Sequence, residues 1–342
     1  MKVLVAPLNW GLGHASRCVP LVHRFLEEGH EVILGGDGES LTLLRKHFPK
    51  LRYVYLAPLN LRYSKSRSQV GAMLRAIPKL IAWSLKDHAI LKAILREEPI
   101  DQIISDNRFG LYINDKWQMA NDKSECVYIT HQLHIMLPKG WRWLEPLAAR
   151  LHARIYTRYN KVWVPDFEDP EKSLAGELSH PTQLSNIKHQ TSNIEYIGPL
   201  SRFEIVNRQS SNRQLYDTVV VLSGLEPQRT LLEKEIIERF TTNPLTPSSS
   251  HPQSVLLVQG LMNRPNTRIK RGKITIVPHM DDAELCAALM GAKHIIARSG
   301  YSTIMDLHAL GILEKAELNP TPGQPEQEYL AARFAEKNAE KC

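Results

Sequence analysis

The sequence predicts an α/β protein of two doubly wound domains, each a parallel sheet with helices on both faces. Three observations carry this. Short apolar runs alternate with helical stretches through the first half, in "KVLVAPL", "HEVILGG", "LRYVYLA", "DQIIS", "ECVYIT" and "KVWVP". The same alternation starts afresh at "DTVVVLSG" and continues through "SVLLVQG", "KITIVPH" and "AKHIIARSG". A chain of 342 residues is also too long for one ordinary domain and comfortable for two. Strands separated by helices of this size read as right-handed βαβ units.

Taken in order, helices are expected over 15–28, 41–47 and 70–97, then between "DQIIS" and "ECVYIT", after Pro146, and over 302–310. Residues 166–192 are polar and form a seam, and "TTNPLTPSSSHPQS" (241–254) reads as a loop, because Pro and Ser at that density punctuate rather than pack. The predicted organisation is an N-terminal domain over 1–165, a linker over 166–216, a second domain over 217–325 and a C-terminal helix over 326–342, with the two domains facing a cleft.

Hydrophobic residues make up 43% of the chain, enough to fill two cores. No apolar run reaches the length of a membrane span, and the first residues lack the order of a signal peptide. Four cysteines (Cys18, Cys126, Cys286, Cys342) are scattered without a C-x-x-C pair, which fits a reducing, cytoplasmic setting and argues against a zinc site. The formal net charge of +7 favours anionic partners. That charge is not gathered in one run, which weighs against nucleic acid.

Two glycine-bearing turns follow strands. In "WGLGHASR" (10–17), Gly11 permits a tight turn and Gly13 a close backbone approach, while Ser16 stands where a dinucleotide fingerprint has its third glycine. The following helix would point free N–H groups and its positive dipole end at a phosphate. In "ARSGYSTIMDL" (297–307), Arg298, Ser299 and Gly300 end a strand, and Ser302 and Thr303 open a helix. Together they form an anion cradle, with Asp306 placed to accept from ribose hydroxyls. The plainer reading is capping, by Ser299 or Ser302, with Asp306 favourable near the dipole.

These motifs carry a resemblance. The chain resembles a glycosyltransferase of the B fold, close to the peptidoglycan N-acetylglucosamine transferase (MurG type, family 28). "GLGHASR" is similar to that family's N-terminal loop with its histidine, "ARSGYSTIMDLHALG" to its donor-binding signature, and "TPGQPEQEYLA" (321–331) to its glutamine-bearing segment. The resemblance implies a nucleotide-sugar donor, most simply a UDP-sugar, used as a co-substrate with no other cofactor. Asp306 would hold the ribose, with Arg298, Ser299 and Gly300 along the nucleotide and Gln324 and Gln327 toward the donor sugar. Arg202, in "IGPLSRF", would approach the diphosphate. "LSGLEPQRT" (222–230) would supply Ser223, Gly224, Gln228 and Arg229, although Leu225 falls where the family has a hydroxyl. "LHALGILEKAELNPTPGQ" is a few residues longer than the family's segment between helix and loop. The resemblance further implies a role in cell-envelope glycan synthesis.

Loss of a nucleoside diphosphate builds negative charge. No Asp-x-Asp pair is present to hold a metal, so helix N-termini with Arg298 and Arg202 would carry the work, metal-independently and with inversion. His14 is the leading candidate for the base that takes the acceptor's proton, and Asp106, at a strand's C-terminal end, is the second. The plainer role for Asp106 is to cap the helix after it. Ser16, Arg17, Asn107 and His131 are placed on the acceptor side, His131 with a buried structural role as its alternative.

"GWRWLEPLAARLHARIYTRY" (140–159) interleaves apolar residues with four arginines, and "LRYSKSRSQV" (61–70) is basic as well. Both suit a glycan or lipid-linked acceptor and peripheral contact with an anionic membrane, at the inner face of the plasma membrane. A core-packed helix with a solvated arginine face is the plainer reading of 140–159. Two rivals stand beside the transferase. One is an NAD(P)-dependent oxidoreductase using "GLGHAS" with Asp37 as its ribose acid. The other is a non-catalytic protein that binds sugar nucleotides or nucleic acid.

Overall fold

The computed structural model of the protein describes residues 1–59, 70–113, 124–181, 193–206, 216–242 and 254–339. The chain forms two compact units, one carrying a first sheet and reaching to Leu200 apart from Trp10–Gly13, the other carrying a second sheet and taking in Trp10–Gly13 and the chain from Ser201 on.

The first unit runs β1 (Lys2–Pro7), α1 (Gly13–Glu27), β2 (Glu31–Gly36), α2 (Gly38–His47), β3 (Tyr53–Tyr55), α3 (Val70–Glu97), β4 (Gln102–Asp106), β5 (Glu125–Ile129), α4 (Glu145–Tyr156), β6 (Lys161–Val164) and β7 (Ile194–Tyr196). Its order is β3-β2-β1-β4-β5-β6-β7, with every neighbour parallel. Val3 through Pro7 are all buried, as continuous apolar strands covered on both faces must be. Right-handed crossovers put α1 and α2 on one face of this sheet. They put α3 and α4 on the other, because the chain there steps in the opposite direction. Leu91 and Leu95 of α3 accordingly share a core with Ala153 and Tyr156 of α4, over Ile103, Tyr128 and Val162.

The second unit runs β8 (Thr218–Val221), α5 (Gln228–Thr242), β9 (Val255–Val258), β10 (Ile269–Arg271), β11 (Ile274–Val277), α6 (Asp282–Gly291), β12 (His294–Arg298), α7 (Tyr301–Ala309), β13 (Ala316–Asn319) and α8 (Pro325–Ala339). Its order is β10-β11-β9-β8-β12-β13, parallel except for the β10–β11 hairpin, which turns at Gly272 with φ +58°. The two faces carry separate cores, one around Leu256, Val277 and Ile295 and one around Val220, Leu257 and Ile296.

Strand order reverses between β1 and β4 in one sheet and between β8 and β12 in the other. Open α/β sheets bind ligands at the carboxyl ends of strands beside such a reversal. Three details differ from the sequence reading. β7 lies within the 166–216 segment expected as linker and extends the first sheet. β10 is an added edge strand. The longer stretch after α7 contains β13, whose Ala316–Asn319 pairs with Ile295–Arg298. The helix expected between β4 and β5, most of "LRYSKSRSQV" and of the 241–254 loop, and the end of the polar seam fall outside the described residues. Among the described residues, no helix is long and apolar enough to cross a membrane.

Candidate active site

In the first unit, β1 ends at Pro7, in register with Asp106 at the end of β4. Gly11 takes φ +82°, which favours glycine, and α1 begins at Gly13. His14 and Arg17 are one helical turn apart and share a face. His14 Nδ1 lies 2.8 Å from Asp106 Oδ1. Arg17 Nε donates to Asp106 Oδ2 at 2.6 Å, its Nη2 donates to Oδ1, and Cys18 Sγ donates to Oδ2 at 3.7 Å. Asp106 and Arg17 are fully buried, whereas the His14 side chain keeps 18% of its surface.

Burial alone would raise the Asp106 carboxyl. The Arg17 guanidinium and then His14 outweigh it and hold the group well below the usual carboxylate range. Asp106 therefore stays ionised at neutral pH. The capping role expected for it is corrected, since both carboxylate oxygens turn back to α1. Arg17, placed on the acceptor side, is corrected too: it clamps Asp106 and reaches His131 Nδ1 at 3.2 Å. Arg17 Nη2 also comes within 3.0 Å of His14 Nδ1. The shorter contact is to the carboxylate, so the network assigns the Nδ1 proton to the bond with Asp106 and leaves Nε2 its lone pair. Ser16 is buried one residue before the clamp, and His131 is buried against Arg17.

Asn107 follows with φ +56°. Its Oδ1 accepts from Tyr128 Oη at 2.7 Å, and Tyr128 Oη lies 3.5 Å from His152 Nε2, whose pKa burial lowers to about 4. The next residue, Arg108, is fully buried and uses all five N–H groups. Nε and Nη2 bond Asp87 at 2.8 and 3.0 Å, Nη1 bonds Asp37 at 2.8 Å and Pro7 O at 3.3 Å, and Nη2 bonds Ala57 O at 2.7 Å. The other Asp37 oxygen accepts from Asn9 at 3.0 Å. Asp37 is thus spent on structure, which removes the ribose acid from the oxidoreductase reading.

In the second unit the residues expected at the donor gather at the β8 and β12 ends. Ser223 and Gly224, the latter with φ +97°, lead into α5 at Gln228. Arg298 and Ser299 lead to Gly300, the N-cap of α7, where no side chain caps the helix. Capping by Ser299 is corrected, because Ser299 Oγ donates to Gln327 O at 2.8 Å. Ser302 and Thr303 lie in the first turn of α7. Arg298 is drawn into structure: Nη1 donates to Pro320 O at 2.9 Å and Nη2 to Gln228 O at 2.8 Å, while its buried Nε has no partner. Arg229, expected at the phosphates, is held by Glu226 at 2.7 Å, Glu233 at 2.7 Å and Thr230 at 2.8 Å, so two carboxylates already neutralise it.

Arg202 sits between Asp282 at 3.1 Å and Asp306 at 3.4 Å rather than free for a diphosphate. Asp306 Oδ1 accepts from Ser201 Oγ at 2.7 Å. Burial pushes the Asp306 pKa up to about 6, against the lowering by Arg202 and Ser201. Gln327 Oε1 accepts from Thr321 N at 2.8 Å, and Gln324 N donates to Thr321 O at 3.1 Å, so both glutamines shape the turn before α8.

The sequence reading brought forward His14, Asp106, Arg17 and His131 one by one, and the structure brings them together. It missed Arg108 with Asp37 and Asp87, and Ser201 with Asp282. The one signal for Arg108 was its place two residues beyond a strand-ending aspartate. An arginine there has the reach to return under the sheet edge.

Two sheets of this topology in one chain define the glycosyltransferase B fold. No family model matches the sequence. An uncharacterized glycosyltransferase of Methanosarcina acetivorans is 24% identical over 98% of this chain and 84% of its own. The spinosyn rhamnosyltransferase SpnG, solved with thymidine diphosphate, has a similar structure at TM-score 0.56 and 12% identity, over 98% of this chain and 85% of that one. A structure described as a UDP-N-acetylglucosamine 2-epimerase of Listeria monocytogenes also matches at TM-score 0.56 and 11% identity, over 99% and 89%. The fold therefore hosts more than one nucleotide-sugar chemistry.

Proposed function

We propose that the protein is a glycosyltransferase. It moves a sugar from a nucleoside diphosphate donor, first of all a UDP-sugar, to a hydroxyl of a glycan or lipid-linked acceptor, with inversion and without a metal. The observation that carries this is the His14–Asp106 pair at 2.8 Å, a partly exposed imidazole backed by a buried carboxylate that stays ionised. His14 Nε2 takes the proton as the acceptor oxygen attacks the anomeric carbon. The bond from that carbon to the diphosphate oxygen breaks, and its electrons leave with the nucleoside diphosphate. Asp106 keeps its charge, fixes the tautomer and stabilises the imidazolium that forms. In the second unit, the start of α7, where no side chain caps the helix, offers its positive dipole end for the departing charge. The resemblance to family 28 supports an N-acetylhexosamine as the sugar.

The test is thermal stabilisation, with EDTA present, by UDP-, GDP-, dTDP- and CDP-sugars beside NAD and NADP, followed by an assay for release of the nucleoside diphosphate. A shift with one nucleotide sugar, and turnover that His14→Ala lowers about 10²- to 10⁴-fold while keeping that shift, is expected. A shift with NAD or NADP alone overturns the reading, and unchanged turnover in His14→Ala removes the base.

A further inference from the structure

The second sheet lacks a helix that its topology calls for. β9 and β11 are parallel neighbours, and a crossover between such strands usually carries a helix. Residues 259–273 hold turns and β10 instead. The step from β9 to β11 runs in the same direction as the step from β8 to β9. A right-handed crossover would therefore put the missing helix beside α5, on the face away from α6 and α7. That place is left open as a cleft of about 250 Å³.

The cleft is apolar at its base and basic along its rim. Ile276 of β11 and Ile237 of α5 belong to the core of this face, and both line the cleft. Glu233, also on α5, is the one acid in the lining, and it is already spent. Arg229 Nη1 donates to it at 2.7 Å and Gln259 Nε2 at 2.5 Å. Arg264, in the loop after β9, and Arg271, on β10, line the cleft as well.

Residues 261–273 carry Arg264, Arg268, Lys270, Arg271 and Lys273 and no acid. Arg268 is paired with Glu284 of α6. Among the described residues, no carboxylate pairs with the Arg264 or Arg271 guanidinium. That sets the two apart from Arg17, Arg108, Arg202 and Arg229, each balanced within its own unit. A guanidinium fork takes a carboxylate or a phosphate through two parallel N–H bonds, and an apolar base beside it takes the body that carries that head. Pockets for drug-sized ligands run to roughly 300–1,000 Å³, so a ligand here is smaller. Arg298, Ser299, Gly300, Ser302 and Thr303, gathered at the start of α7, line no part of this cleft.

We propose that the cleft beside α5 binds a small organic anion, one carboxylate or phosphate on a short apolar body, at a site separate from the donor edge. The proposal does not rest on the transferase reading, since the anion would bind whether or not the protein transfers a sugar.

The test is isothermal titration calorimetry of the full chain with phenyl phosphate and with hexanoate, each beside its uncharged counterpart, phenol and hexanol. Saturable binding of at least one anion is expected, with the uncharged counterpart about ten-fold weaker. Arg264→Gln and Arg271→Gln should each weaken the anion about ten-fold. Thr267→Trp, which fills the cleft and leaves every charge in place, should abolish binding. Lys86→Gln on α3 should leave it unchanged. Equal melting temperatures without ligand separate lost binding from lost fold. Absence of binding by both anions, equally tight binding of the uncharged counterparts, or unchanged binding in Thr267→Trp overturns the proposal. So does displacement of the anion by UDP, because the anion would then sit at the donor edge.

Discussion

Replacing Arg108 with methionine removes the one cation inside a group of two carboxylates and two carbonyls. Asp87 is fully buried and loses two bonds, Asp37 loses one, and the Pro7 and Ala57 carbonyls lose theirs. Asp87 keeps only the Ala57 N–H at 2.9 Å and Asp37 keeps Asn9. Breaking a buried pair from one side costs about 3–5 kcal/mol, because the remaining charge has no compensation. With part of the hydrogen bonding retained, a loss of about 4 kcal/mol is expected, a large share of a domain's usual 5–15 kcal/mol. Urea unfolding followed by tryptophan fluorescence measures it, since Trp83 lies against Arg108. The pH dependence has a definite sign. Burial raises the Asp87 pKa even with Arg108 present. A carboxyl with a raised folded-state pKa favours folding at low pH, and that contribution disappears as pH rises through the folded value. The deficit of Arg108→Met should therefore shrink as pH falls, and Asp87→Asn in the same background should recover part of it. A loss below about 1 kcal/mol, or a deficit that grows toward low pH, refutes the argument.

Asp106→Asn should lower turnover by at least about ten-fold and leave donor-induced stabilisation intact, because it weakens the orientation of His14 without touching the second unit. Equal turnover would show that the carboxylate serves only to anchor Arg17. Asp306, with a pKa of about 6, should favour folding below pH 4 and lose that contribution as pH rises toward 6. Some two units at about 1.4 kcal/mol each make this about 3 kcal/mol. Asp306→Asn should remove that slope, so the variant should gain on the wild type between pH 4 and 7 in urea unfolding; parallel curves would contradict the buried ionisation.

The central strands were readable because a strand covered on both faces must be apolar throughout, as "KVLVAP" and "VLLV" are. β7, β10 and β13 were not, because they span three or four residues at or near a sheet edge, and Ile269–Arg271 is exposed throughout. His14 and Asp106 each stood out locally. Their pairing did not, since 92 residues separate them and nothing in either segment names the other. Arginines misled most. Arg202 and Arg229 read as ligands for an anion, and Arg17 as an acceptor-side group, because an arginine is by default exposed and free. Each is instead balanced by a carboxylate of its own unit, and that balance exists only once the chain is folded.

The left-handed turn at Asn107 separates two buried charge clusters by a single residue. Asp106 faces α1 on one side of it, and Arg108 reaches toward α2 and α3 on the other. Inserting or deleting one residue there would swing one cluster out of reach whichever way the chain adjusted. The segment 105–108 is therefore a fixed-length hinge pin, and exchange of this edge between related proteins should succeed only when positions 14, 17, 37 and 87 travel with it.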